Sequence, residues 1–133
     1  MTDELFLLGR VLFSLVFLRY GVLHLTQTAG SVQYAEYKKV PQAKAAVILS
    51  GVLQLVAGVA IVLGIWMDLA GIYLAIYVLL AGFIFHRYWD EQDPQTRQVE
   101  MAQFMKNVSL AGGALVIAAV ADGAPYAMTD GLF

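Results

Sequence analysis

The sequence contains no cysteine. That absence removes disulfides, thiolate nucleophiles and cysteine-ligated zinc or iron–sulfur sites, so the chain by itself cannot be a thiol oxidoreductase. Charge is scarce too: charged residues make up 14% of the 133, against roughly 25% in soluble proteins. The net charge of −2 leaves no basic footprint for nucleic acid. There is no glycine-rich phosphate loop, no catalytic-triad pattern, no internal repeat and no low-complexity linker. What the chain has instead is apolar surface. Hydrophobic residues reach 60%, more than a soluble globule of this size can hide, and the bilayer becomes the expected solvent.

A membrane-crossing helix takes about 20 mostly apolar residues. Four stretches meet or approach that length: 5–25, 43–65, 69–85 and 104–121. They predict an all-α, integral membrane four-helix bundle with antiparallel neighbours, a single domain over 1–133. The first stretch is not a cleaved signal peptide, because Asp3 and Glu4 stand where a positive n-region belongs. With Thr2, they suit a helix start, where oxygens cap free N–H groups and negative charge meets the positive dipole end. Trp66-Met67-Asp68 is a very short link, so the second and third spans are neighbours. The first connection, 26–42, holds Tyr34, Tyr37, Lys38 and Lys39, and predicts a short helix along the interface before Pro41 begins the second span. In the other long connection, 86–103, Asp93-Pro94 pairs an N-cap with a first-turn proline, so the fourth helix begins in water and runs on into lipid.

Helices in lipid associate by close packing of small residues. Gly71, Ala75, Val78 and Gly82 form one such stripe, and Asn107, Ala111, Ala114 and Ala118 another. Gly51, Gln54 and Gly58 share a face of the second span. Of the eight basic residues, Lys38, Lys39, Lys44, Arg87, Arg97 and Lys106 flank the two long connections. The positive-inside rule then places 26–42 and 86–103 in the cytoplasm and both termini outside.

Alternation of the spans brings the end of the first, the start of the second, the end of the third and the start of the fourth to one membrane side. That side collects His24, His86, Arg87, Tyr88, Trp89, Glu100, Lys106 and Asn107, with Arg19 about a turn and a half deeper. Several have ordinary explanations. Arg87, Tyr88 and Trp89 suit interface anchoring, Lys106 can snorkel, and the histidines can cap helix ends. Gln54, near mid-membrane, suits an interhelical hydrogen bond. Arg19 is expected to face the bundle interior or a wet cavity, because a charge in hydrocarbon costs on the order of 3 kcal/mol or more. Together, Arg19, His24, Gln54, His86, Trp89, Glu100, Lys106 and Asn107 predict a pocket in which donors and imidazoles adjoin an apolar interior. Such a bed suits a quinone head group, with histidine able to pass protons. Haem held between His24 and His86 is set aside, since neither lies clearly within the apolar depth where haem packs. Two histidines with Glu100 are too thin a set to predict a metal site.

The stretches "GRVLFSLVFLRYGVLHL" (9–25), "GVLQLVAGVAIVLG" (51–64), "FHRYW" (85–89) and "FMKNVSLAGGAL" (104–115) resemble the DoxX family of small four-span bacterial membrane proteins. The resemblance covers nearly the whole chain, and "QFMKNVSLAGG" is its most specific part. It implies a bacterial plasma-membrane protein tied to redox metabolism, relatives being associated with a thiosulfate:quinone oxidoreductase and with membrane complexes handling oxidative stress. His24, His86, Trp89, Lys106 and Asn107 fall within the matching motifs. Many members carry an acidic residue where Gln54 stands here, and an amide cannot ionise to relay a proton.

The leading expectation is therefore a redox-associated membrane subunit, not catalytic alone, with a pocket for a quinone-like or amphipathic molecule. The alternative is a non-enzymatic scaffold whose small-residue faces pack against other membrane subunits or a second copy. A small transporter is a weaker reading, because no span offers a broken half-helix or paired carboxylates.

Overall fold

The computed structural model describes residues 1–133, and all its regular structure is helical. The helices are α1 (Thr2–Thr26), α2 (Thr28–Tyr37), α3 (Ala43–Leu63), α4 (Met67–Phe85) and α5 (Pro94–Ala119), with a short 3-10 turn at Tyr88–Asp90. α1, α3, the segment beginning with α4, and α5 make four stretches long and apolar enough to cross a membrane. The all-α four-span expectation holds, with boundaries shifted by local chemistry.

α1 begins with Asp3 and Glu4 in its first turn. At its far end the Thr26 hydroxyl donates to Val22 O and the Thr28 hydroxyl to His24 O, each at 2.8 Å. These bonds cover carbonyls that a helix end otherwise leaves bare. The short helix expected in the first connection is present as α2. α3 starts at Ala43, two residues after Pro41, and stops at Gly64, whose φ of +69° only glycine adopts without strain. Gly64 N–H reaches Ile61 O and Ile65 N–H reaches Ala60 O, a Schellman-type ending. The reversal into α4 thus occupies 64–66, slightly earlier than expected, and Met67 and Asp68 are already helical. Asp93 caps α5 by accepting from Thr96 N–H at 2.8 Å, with Pro94 in the first turn, so this helix does begin ten residues before its apolar stretch.

α1 packs along α3 and α4 along α5; α3 and α4 touch less, and α1 and α5 only sparsely. Glycine permits both close pairings. A Cβ on Gly71 would lie 2.6 Å from Ala114 O, and one on Gly21 would lie 2.9 Å from Gly51 O. The stripes expected on the third and fourth spans therefore face each other. Phe17, Ile61, Leu74, Val78 and Ala114 form the centre of the core, while Leu12, Val56, Ile76 and Val116 point outward as a lipid-facing surface requires.

The segment 120–133 folds across the α3–α4 reversal. Met128 and Thr129 N–H both donate to Gly64 O at 3.0 Å, and Trp66 N–H donates to Thr129 Oγ1 at 3.0 Å. Beneath this strap lies Arg10, 1% exposed, with Nη2 donating to Tyr126 O at 3.2 Å and Nη1 3.4 Å from Met67 Sδ. Nearby, the buried carboxylate of Asp68 accepts from the Leu132 and Phe133 N–H groups.

Candidate functional site

A cavity of about 680 Å3 lies between the α1–α3 pair and the α4–α5 pair, on the side opposite the strap. Its walls are apolar: Val16, Phe17, Val47, Leu80, Ile84 and Leu110 contribute. Its polar groups form two sets.

The deeper set is uncharged. His24 lies on the inward face of α1, and its Cβ comes so close to Gly51 that a side-chain carbon there would stand 2.8 Å away. Glycine at position 51 is what lets the imidazole occupy this depth. His24 Nδ1 is 3.1 Å from Ser50 Oγ and 3.4 Å from Gln54 Nε2. Gln54, 2% exposed, donates through Nε2 to Tyr77 Oη at 3.0 Å. Ser50 is also 3.0 Å from Val47 O, so its one hydroxyl hydrogen serves either that carbonyl or the ring. With the Gln54 amide donating, Nδ1 accepts and the ring hydrogen sits on Nε2; with Ser50 donating to Val47 O, Nδ1–H donates to Ser50 Oγ instead. Nε2 has no protein partner. Asn107 completes the set, buried and donating through Nδ2 to Val78 O at 3.0 Å.

The shallower set is ionic. His86 Nδ1 is 2.8 Å from Glu100 Oε2, and Lys106 Nζ donates to Gln103 Oε1 at 2.6 Å. No Asp or Glu side chain lines the cavity; Glu100 reaches it only through His86. α2 closes the top with Gly30, Ser31, Tyr34 and Ala35. The Tyr34 ring stacks on Phe85 at 5.5 Å, and Ala35 is buried against Ala43 and Val47. Burial, with the Glu100 charge second, pushes the Tyr34 phenol above its usual value.

Of the residues the sequence singled out, His24, Gln54, His86, Lys106 and Asn107 line this cavity together, and Glu100 holds His86. Trp89 does not line it. Its ring belongs to an aromatic cluster with Phe83, Tyr88 and Phe104, centroids 5.1 to 6.0 Å away. Arg19 corrects the expectation of an inward charge: it is exposed on the outer face of α1, where its aliphatic stem can carry the guanidinium toward the headgroups. Ser50, Tyr34, Tyr77 and Gln103 line the cavity unforeseen. Ser50 was findable, one turn before Gln54 on the same face. Arg10, Ser14 and Asp68, the buried polar residues near the strap, were also missed.

Chemically, the deep end offers an imidazole nitrogen and neutral oxygens to an uncharged polar ring, and the walls offer an apolar sleeve to a tail. No group of three or more His, Asp or Glu side chains is placed to hold a metal ion.

Residues 5–87 match the DoxX family. The chain is 32% identical over 120 residues to the inner membrane protein YphA of Escherichia coli strain K12, covering 90% of this chain and 85% of that protein. It is 30% identical over 118 residues to the inner membrane protein YqjF of the same strain, covering 89% and 85%. No solved structure matches it.

Proposed function

The chain belongs to the DoxX family, and from that footing we propose a redox-associated integral membrane subunit whose cavity holds a quinone-like or similar amphipathic molecule. One observation carries the reading. The His24 ring, its Nε2 without a protein partner, is presented by a neutral network to an apolar cavity of about 680 Å3. A quinone carbonyl needs a donor, which the ring supplies when its hydrogen sits on Nε2, and a quinone tail needs such walls. His24 and Asn107 orient the ring, Ser50 and Gln54 hold the His24 imidazole in place, and the His86–Glu100 and Lys106 groups border the mouth. The protein works as one transmembrane unit of an inner membrane, with 26–42 and 86–103 facing the cytoplasm and the termini outside.

The test is a ligand shift. Protein purified from its native membrane is titrated with a decyl-substituted benzoquinone and its thermal stability followed. The expected result is stabilisation of about 2.7 kcal/mol at a hundredfold excess over Kd, lost in His24→Leu. Extraction of phospholipid alone, with no response to quinone, overturns the proposal. Because the chain lacks cysteine, single substitutions at Lys39 and Glu91 report orientation directly. Labelling of either from the outer face would reverse the assignment.

A further inference from the structure

α1 and α5 make their close approach where the Phe13 ring meets Gly113. One turn further toward α2, Val16 and Leu110 already line the cavity. Another turn on, Tyr20 of α1 and Lys106 of α5 both line the cavity and are exposed on the outer surface. A residue that is cavity wall and outer surface at once marks the edge of an opening. Leu80 and Ile84 on α4, and Gln27, Gly30 and Tyr34 at the α2 end, share that property, and of these edges the one at Tyr20 and Lys106 carries the free cation. This opening faces sideways, between helices that cross the bilayer. The water side is covered in part, since α2 lies over the cavity with Tyr34 stacked on Phe85 and Ala35 3% exposed, while Gln27, Gly30 and Tyr34 keep an exposed edge there.

Resting on the function proposed above, we infer that the gap between α1 and α5 is a lateral portal, through which a single-chain amphiphile dissolved in the leaflet passes directly into the cavity. The head travels past Tyr20 and Lys106 to the His24–Gln54 end, and the chain lies in the gap. Lys106 is the specificity group of this passage. Its ammonium is held by Gln103 at 2.6 Å and has no carboxylate within ion-pair distance. With no acidic side chain on the wall, it draws electron-rich carbonyl or phenolate heads and repels cationic ones.

A passage and a binding site are told apart by kinetics. Narrowing a passage slows arrival and departure by the same factor and leaves Kd unchanged, whereas altering the wall changes Kd. Tyr20→Cys, the sole thiol in the chain, is alkylated with a biphenyl maleimide in lipid nanodiscs. Exchange of the decyl-substituted benzoquinone is then measured, with Leu12→Cys on the lipid-facing surface and Ser31→Cys on α2 treated identically. The expected result is roughly a tenfold fall in both rates for the Tyr20 adduct, at constant Kd, and little change for the other two. Slowing confined to the Ser31 adduct would mean that the ligand comes from water under α2, and equal rates for all three would abolish the portal. If the unmodified protein binds no quinone, the functional reading fails first. Lys106→Met is expected to slow uptake by severalfold while the protein remains folded, and an unchanged rate would remove Lys106 from the passage.

Discussion

Arg10 and Arg19 are nine residues apart on α1, which at about 100° per residue puts them on opposite faces of the helix. The inward face runs Arg10, Ser14, Phe17, Gly21, His24. Counting charges by loop assigned Arg10 to topology and Arg19 to the interior; counting by face reverses both. Arg10 is buried with its Nε unpartnered and no carboxylate within ion-pair distance. Replacing a buried ionic group by an apolar one of similar volume is often neutral or stabilising. Arg10→Met is accordingly expected to hold or raise stability, and Arg10→Ala, which leaves a void, to lower it by about 3 kcal/mol. Reversible unfolding in mixed micelles checks both. The Asn107 amide, bonded to Val78 O, belongs to the same scale: Asn107→Leu is expected to cost about 1 kcal/mol in that assay, the range of interhelical hydrogen bonds in lipid.

Between elements, the α4–α5 contact depends on backbone approach. At Gly71 an added methyl meets Ala114 O and Ala118 N, main-chain atoms that cannot step aside, whereas at Gly112 nothing lies within 4 Å. Gly71→Ala is expected to lose about 1–3 kcal/mol and Gly112→Ala almost nothing. At the start of α5 the Thr96 N–H and hydroxyl hold the Asp93 carboxyl below its ordinary value. A depressed folded-state value means the cap contributes fully above the unfolded value, about 4, and is lost as pH falls through the folded one. Amide shifts of residues 95–97 should therefore show the first turn fraying in acid, and Asp93→Ala should fray it at every pH. These elements were legible because each has a short-range cause: bilayer thickness for the spans, Asp93-Pro94 for the helix start, and glycine spacing for the pairings. α2 was visible as a helix, but its part in covering the cavity was not, because Tyr34 finds Phe85 only through the fold.

At the scale of the molecule, the strap across the α3–α4 reversal had no warning in the sequence. Several of its bonds run to backbone atoms of Leu63, Gly64 and Trp66, which carry no residue signature, and Arg10 and Asp68 meet it only through the fold. The cavity, by contrast, was half legible, because alternation of spans fixes which ends share a membrane side. It could not say which side chain turns inward, and so it included Arg19 and Trp89 and omitted Ser50 and Tyr77. Removing residues 125–133 takes away the Arg10–Tyr126 bond and those of Met128 and Thr129. The shortened chain is expected to melt lower by on the order of 5 °C, and a cysteine at Ser50 to label faster in it than in the full chain.

That last expectation follows from how the two helix pairs are joined. They meet at the Gly64–Trp66 corner like the arms of tongs, and the aperture between their tips is the cavity. Over an arm of about 30 Å, a swing of about 5° at the corner moves the tip by between about 2 and 3 Å. A knot of hydrogen bonds on one surface of the bilayer thereby sets the gape at the other.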